Sequence, residues 1–372
     1  MKQTSKQRAD ANTYDFLALR GVQAGLAYYV VMVPLRLVPR LFRFDESDLS
    51  ADLRAQRLIN RARVPAIARY IVEHPKDYVL SALCASVDGP LDFTSLEPSG
   101  ALRTVGQLRI SMTATLLIND GQHRRAAIEV ALRERPSLAD ESIAIVVFAD
   151  RGLMRAQQMF SDLNLHAIRP SKSIGVLYNH RDPFATLVRE VTRAIPLFRD
   201  FVDLERTSIS NRALKLFTLS SLYQATQELL GHAGASPSTE SQRTYAITYW
   251  NAVIAEMPDW QAVATRRVAP ADVRRDYLHS HGVALQALGM VGRQLLAFYP
   301  QNWKTRLSRL AKVDWSRHNT AVWEGTVLVG GRVQRSRRAV CALAGVLFSA
   351  LEVPPTADAE EFVRLPPARR RS

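Results

Sequence analysis

The chain has 372 residues, of which 47% are hydrophobic, which excludes an intrinsically disordered chain and leaves room for two or three globular domains. Its 49 Lys and Arg residues outnumber its 35 Asp and Glu residues and give a net charge of +14. Such a charge indicates a polyanionic partner, most simply nucleic acid.

The composition also limits the cellular setting that we expect. The two cysteines, Cys84 and Cys341, are too far apart for a CxxC motif, so a reducing compartment is expected. The first residues lack the apolar core of a signal peptide, and no apolar run reaches the ~18 residues of a membrane span. His279 and His281 lie only two positions apart, and no metal site is predicted. We therefore expect a cytoplasmic protein without a membrane partner.

The first half of the chain predicts an α/β (α+β) domain over residues 15–182, after a disordered stretch over 1–14. Apolar and polar residues alternate over 16–43, which indicates strands, and helical spacing follows over 49–73. Further strands are predicted at 78–87, 108–112, 114–118 and 143–149, and further helices at 124–135 and 153–163. This alternation of strands and helices predicts a mixed sheet.

From residue 183 to residue 353 the sequence predicts a mainly helical domain. Segments rich in Leu and Ala have helical spacing, and they lie at 184–194, 212–230, 241–257, 274–299 and 340–351. A Gly- and Ser-rich loop interrupts them over 231–238. Residues 354–372 contain proline, then acidic residues, then a run of arginine, and are predicted to form a disordered tail.

The most informative stretch reads DGQHRR over 120–125, between the strand predicted at 114–118 and the helix predicted at 124–135. The positive end of a helix stabilises an anion. A capping Asp and a turn-forming Gly are an alternative interpretation, but they do not account for four polar and basic residues in succession. We interpret the stretch as a site for phosphate or nucleotide formed by Asp120, Gly121, Gln122, His123, Arg124 and Arg125.

A second polar cluster follows the helix predicted at 153–163. It contains Asn164, His166, Arg169 and Lys172, and its cationic donors suit phosphate oxygens. An exposed, capped helix end is the alternative interpretation. Because both clusters follow elements of one sheet domain, we expect them to face a single regulatory pocket.

Basic stretches in the helical half are the candidate contacts to DNA phosphates. The strongest candidate is the segment 332–338, which follows two glycines and contains Arg332, Arg335, Arg337 and Arg338. Arg274 and Arg275 form a second candidate. No helix-turn-helix is recognised, so DNA contact is inferred from charge.

The motifs of common catalytic sites are missing from the sequence. It contains no Walker loop, no HExxH and no G-x-S-x-G, so no catalytic residue is assigned and a protein without enzymatic activity is favoured. The DGQHRR stretch leaves one cofactor open, a nucleotide with Mg²⁺, and the enzyme that it would support is an NTPase. The oligomeric state, including a homo-oligomer, stays open.

Several motifs along the chain carry a resemblance to a known family. The DGQHR sequence resembles that of the DGQHR-domain proteins. The match extends to the DndB family of DNA sulfur modification proteins through GVQAG at 21–25, YY at 28–29, RVPAIARYI at 63–71, QQMFSDLN at 157–164, GVLY at 175–178, HRDP at 180–183 and DWSR at 314–317 with Asn319, Trp323 and Glu324. The resemblance covers roughly residues 15–352, with its motifs in order.

The resemblance has implications for both function and fold. It implies a repressor whose partner is double-stranded DNA, the promoter of its own gene cluster, whose products replace a non-bridging phosphate oxygen of DNA by sulfur. The DGQHR turn is also similar to the Gly-Glu-Arg-Arg turn of ParB-like and sulfiredoxin-like folds, where a strand-turn-helix binds nucleotide phosphates. Gln122 and His123 stand where that pattern has Glu and Arg, which weighs against metal-assisted hydrolysis. A nucleotide-binding switch or NTPase is the alternative function.

Overall fold

The structure is a computed structural model that describes residues 12–42, 61–149, 158–159, 162–163, 170–210, 213–231 and 240–364. The chain divides into two compact units, residues 1–168 and residues 169–372. The helix at Lys172–Tyr178 packs within the second unit. The division therefore falls earlier than residue 182, where the sequence analysis put the domain boundary.

Seven strands in the described part of the first unit form a mixed sheet. They are β1 (Thr13–Gln23), β2 (Leu26–Pro34), β3 (Leu83–Asp88), β4 (Leu91–Ser95), β5 (Val105–Ser111), β6 (Thr115–Asp120) and β7 (Ser142–Ala149). Their order is β4-β5-β1-β2-β7-β3-β6. The β3–β7 pair is parallel and the other pairs are antiparallel. The predicted mixed sheet is confirmed.

Helices cover one face of this sheet through its alternating apolar residues. Those within the described residues are α1 (Val38–Leu41), α2 (Val64–Glu73) and α3 (Gln122–Glu134), with 3-10 turns at Leu35–Leu37, Arg61–Arg63, Ala101–Thr104 and Pro136–Asp140. Val31 of β2 and Ile145 of β7 are buried in the same core as Ile71 of α2 and Ile128 of α3. The period of two along the strands and of 3.6 along the helices accounts for this packing.

The second unit is mainly helical, as predicted. In the part of this unit that the structure describes, the helices are α4 (Lys172–Tyr178), α5 (Pro183–Ala194), α6 (Pro196–Phe201), α7 (Leu219–Leu230), α8 (Glu240–Ala255), α9 (Pro258–Ala264), α10 (Pro270–Asp276), α11 (Gly282–Phe298), α12 (Trp303–Leu307), α13 (Thr320–Trp323), α14 (Arg337–Leu351) and α15 (Ala357–Arg364). The remaining elements are short: β8 (Val202–Asp203), β9 (Phe217–Thr218), β10 (Leu328–Val329), β11 (Arg332–Val333), and 3-10 turns at Leu278–Ser280 and Ser308–Lys312.

Helix α11 lies at the centre of the second unit, where α7 and α14 pack against it. A Cβ at Gly289 of α11 would lie 2.1 Å from the carbonyl oxygen of Ala225 in α7, so only glycine permits this approach. The Tyr249 hydroxyl donates a hydrogen bond of 2.6 Å to the carbonyl of Leu288. Trp250 and Trp260 are fully buried in the surrounding core. Among the described residues, no helix is long and apolar enough to cross a membrane.

Several sequence predictions differ from the structure, and three of them have a visible cause. The strand predicted at 78–87 begins only at Leu83, because the amide of Val79 donates to the Tyr70 hydroxyl instead of to a strand. The helix predicted over 274–299 breaks where Tyr277 adopts an extended conformation and forms a bridge with Ser316. The tail predicted to be disordered over 354–372 contains α15, whose Ala359 is buried against α14.

Candidate functional site

The DGQHRR stretch forms a strand, a turn and a helix. Strand β6 ends at Asp120, Gly121 has a φ of 106°, and α3 begins at Gln122. A Cβ at Gly121 would lie 2.4 Å from Cδ2 of Leu83. The left-handed backbone therefore requires glycine at this position, and a Cβ would also force the Leu83 side chain to shift. The predicted strand-turn-helix is confirmed.

A β-bulge precedes the turn. Cys84 pairs with Asp120 and Ala85 pairs with Ile118, so Asn119 is the extra residue of β6. Its fully buried side chain donates a hydrogen bond of 2.7 Å to the hydroxyl of Ser86. Burial and the charge of Asp120 raise the pKa of the neighbouring Cys84 to about 11, although the Asn119 side chain opposes this shift. The thiol is therefore protonated near neutral pH, and a protonated thiol is a poor nucleophile.

The two arginines of the turn already have anionic partners. Arg124 donates to Asp120 across 2.6 Å and also bonds the Ser81 hydroxyl. Arg125 forms an ion pair of 3.0 Å with Glu129. The side chains of Arg124 and Arg125 are only 20% and 18% exposed. An incoming phosphate would have to compete with two carboxylates for these guanidinium groups.

Gln122 and His123 occupy the first two positions of α3 and are half-buried. Burial, Arg63 and Arg124 lower the pKa of His123, and the negative charge of Asp120 acts in the opposite direction. The neutral imidazole is thus favoured, and it offers one hydrogen-bond donor and one acceptor. The turn supplies neutral polar groups to a ligand in addition to charge.

Most of the second polar cluster falls outside the described residues. This applies to Asn164, His166 and Arg169. Lys172 is described: it is the exposed first residue of α4, and its amide donates to the Thr207 hydroxyl across 3.2 Å. A common pocket for this cluster and the DGQHRR stretch stays a prediction.

The six arginines predicted to contact DNA differ in how they are paired. Arg337 contacts Glu228 and Asp358, and Arg275 contacts Asp272 and Asp276. The other four, which have no carboxylate partner within the described residues, are Arg274, Arg332, Arg335 and Arg338. Arg332, Arg335 and Arg338 are also exposed and are therefore the stronger candidates for phosphate contacts.

A cavity of about 220 Å³ lies in the second unit. Three cations that the sequence analysis named separately line it: Lys172 of α4, Arg274 of α10 and Arg335, which lies just before α14. The polar remainder of the lining consists of hydroxyl, amide and imidazole groups. They belong to Thr207, Ser208, Thr218, Ser220, Ser221, Gln224, Ser280, His281 and Gln286. Among the described residues, no Asp or Glu lines this cavity.

The cations of the cavity influence each other and its histidine. Burial and the charge of Arg335 lower the pKa of Arg274. Burial, Arg274, Arg317 and Arg335 lower the pKa of His281 to about 4. The imidazole Nε2 donates to the carbonyl of Arg274 across 3.1 Å, so the neutral ring keeps Nδ1 as an acceptor. The positive charge of the cavity near neutral pH therefore comes from Lys and Arg.

Sequence analysis did not find this cavity or the roles of Ser221, His281 and Gly282. A Cβ at Gly282 would lie 2.6 Å from the Ser221 hydroxyl oxygen, so glycine allows the starts of α7 and α11 to meet. A His-Gly pair ahead of a long apolar helix is the local signal that could have drawn attention to this position.

The fold defines a protein with a mixed α/β unit and a mainly helical unit, and the helical unit carries the exposed arginines Arg332, Arg335 and Arg338. A family model described as DndB, DNA-sulfur modification-associated, matches residues 16–354. The chain therefore belongs to the DndB family, which is linked to DNA sulfur modification. Comparisons with curated proteins and with solved structures gave no match.

Proposed function

We propose that this DndB-family protein is a DNA-binding transcriptional repressor that binds the promoter of a gene cluster for DNA phosphorothioate modification. The observation that carries the proposal is the basic segment 332–338, where Arg332, Arg335 and Arg338 are exposed. In a chain with a net charge of +14, such a segment suits the phosphates of a DNA backbone. Family membership supports the link to sulfur modification, and the resemblance supports the repressor role.

These arginines lie between a short β-hairpin and the start of a helix. Gly330 and Gly331 have φ values of 56° and 70° and connect β10 to β11 in a two-residue hairpin turn, for which glycine is suited. The Ser336 hydroxyl then accepts the amide of Ala339 across 3.2 Å and caps α14. The segment therefore runs from a hairpin to a helix N-terminus, which adds a favourable dipole for phosphate.

The first test measures binding to the protein's own promoter and to a random duplex over a salt series. We expect tighter binding to the promoter and a slope of log affinity against log salt of about −0.9 per neutralised phosphate. An Arg332→Gln, Arg338→Gln double variant should bind both duplexes more weakly with a shallower slope. Equal affinity for the two duplexes would contradict the regulator and leave DNA binding intact.

The matched control for this test is Arg337→Gln. Arg337 lies in the same segment, but its guanidinium contacts Glu228 and Asp358. Because this charge is already paired, its loss should change the salt slope less than the loss of Arg338. A larger effect from Arg337→Gln would mean that the ion pairs open when DNA binds.

The alternative function is a nucleotide-binding switch or NTPase that uses the DGQHRR stretch. The observation in its favour is that α3, a helix of thirteen residues, begins directly after Gly121 and has no side-chain cap at its N-terminus within the described residues. The amides at such a helix N-terminus are suited to phosphate. Each nucleoside triphosphate with Mg²⁺ would be screened for thermal stabilisation, because a ligand of the folded state raises stability. Stabilisation that Arg124→Ala abolishes would support the switch, and no shift at millimolar nucleotide would contradict it.

A further inference from the structure

The cavity in the second unit concentrates positive charge without a visible counter-ion. Lys172, Arg274 and Arg335 line it, and none of them forms an ion pair with another described residue. Their sequence neighbours Arg275 and Arg337 do pair with carboxylates. Arg274 and Arg335 thus stay unpaired in stretches where a neighbouring arginine is already paired with a carboxylate.

Arg274 is fixed in place while its charge stays uncompensated. Its two terminal nitrogens donate to the carbonyls of Leu216 and Ile209 across 3.3 Å and 3.2 Å. Its Nε is buried and has no hydrogen-bond partner within the described residues. Carbonyl groups orient a guanidinium but do not neutralise it, and a partly buried, unpaired cation is costly. A bound anion would offset that cost.

The start of α11 adds further donors to the same cavity. This helix has seventeen residues, and no side chain of its N-cap residue, His281, bonds its first turn. Gly282 and Val283 line the cavity, and their amides form no hydrogen bond with other described residues. Free amides at the positive end of a long helix bind tetrahedral oxyanions.

We propose that this cavity binds the phosphate group of a small molecule, with Arg274, Arg335 and the amides of Gly282 and Val283 as its contacts. The hydroxyls of Thr207 and Ser208 lie on the same lining and supply further donors. The volume of about 220 Å³ lies below the ~300 Å³ at which pockets for larger ligands begin. The ligand is therefore inorganic phosphate or a compact phosphorylated metabolite.

The site does not require DNA, so it goes beyond the repressor proposal and is tested without a duplex. Urea unfolding would be measured with increasing orthophosphate, with chloride added to hold ionic strength constant. The free energy of unfolding should rise with phosphate as RT ln(1 + [L]/Kd). Calorimetric titration with orthophosphate should give the same Kd.

Two variants assign this binding to the cavity. Arg335→Gln should weaken phosphate binding by about tenfold or more, since it removes a charge-assisted hydrogen bond. Arg338→Gln is the matched control: this exposed arginine lies three residues further on, outside the lining, and its loss should leave the Kd unchanged. Arg335 is exposed, so its substitution should not prevent folding.

Three results would overturn the proposal. The first is no stabilisation by orthophosphate at millimolar concentration. The second is an equal loss of binding in Arg335→Gln and Arg338→Gln, which would indicate a general effect of charge. The third is binding of a short DNA duplex that depends on Arg335 while orthophosphate does not bind, which would assign the cavity to a DNA backbone phosphate.

Discussion

The half-buried histidine of the cavity, His281, makes the stability of the protein dependent on pH. Burial and three arginines, Arg274, Arg317 and Arg335, lower the pKa of His281 from 6.5 to about 4. In the unfolded chain this pKa returns to about 6.5. At pH values between these two pKa values, His281 binds a proton in the unfolded state but not in the folded state. The stability is therefore fully present above about pH 6.5, falls with decreasing pH, and stops falling below about pH 4.

The size of this effect follows from the difference between the two pKa values. At about 1.4 kcal/mol per pH unit, the whole transition amounts to about 3 kcal/mol of unfolding free energy. Between about pH 7 and about pH 5, the expected loss is about 2 kcal/mol. This is a large fraction of the stability of a typical domain.

Urea unfolding of the wild type and of His281→Asn at about pH 7 and about pH 5 measures this loss of unfolding free energy. The pKa values of His279 and His123 are also lowered by burial, so the wild type contains their contributions too. The difference between the two proteins isolates His281: the variant should lose about 2 kcal/mol less than the wild type on acidification. His180→Asn, which removes an exposed histidine, is the control. Identical losses in the wild type and His281→Asn would refute the reasoning.

Three further predictions concern residues near the sites. Gly121→Ala should lower the unfolding free energy by about 1–3 kcal/mol, because the new Cβ meets Leu83 at a φ of 106°. In the same urea assay the control Gly175→Ala, where no atom lies within 4 Å of the new Cβ, should stabilise α4 slightly. Asn119→Ala should cost about 1–3 kcal/mol by urea unfolding, since it leaves the buried Ser86 hydroxyl without its donor; an unchanged midpoint would contradict this. Arg337→Gln should cost about 1 kcal/mol at low salt and less at high salt; a cost that does not depend on salt would rule out an electrostatic cause.

Local sequence patterns predicted elements of both units. The β-branched run of β7 and the Asp-Gly turn after β6 involve neighbours in sequence, and the helical spacing of α5 and α14 is equally local. These elements lie within a few residues of their predicted positions. The phosphate-binding role of the DGQHRR stretch stays a prediction, and the pairing of Arg124 with Asp120 was not expected.

Contacts between distant residues could not be predicted from one sequence. Arg337 and Glu228 are 109 positions apart and meet only because α14 and α7 both pack on α11. The cavity likewise depends on the packing that brings Lys172, Arg274 and Arg335 around the start of α11. Periodicity identifies which face of each helix is apolar, but it does not determine which helices pack together.

The position of β7 in the sheet has a consequence for synthesis of the chain. Strand β7 pairs with β2 on one side and with β3 on the other, and it is the last of the seven strands in chain order. Until Ser142–Ala149 has left the ribosome, the strands form two separate groups, β4-β5-β1-β2 and β3-β6. During that interval β2 and β3 would each have an open edge, and an open strand edge is a template for pairing with another chain. The arrival of one eight-residue segment closes both edges at once.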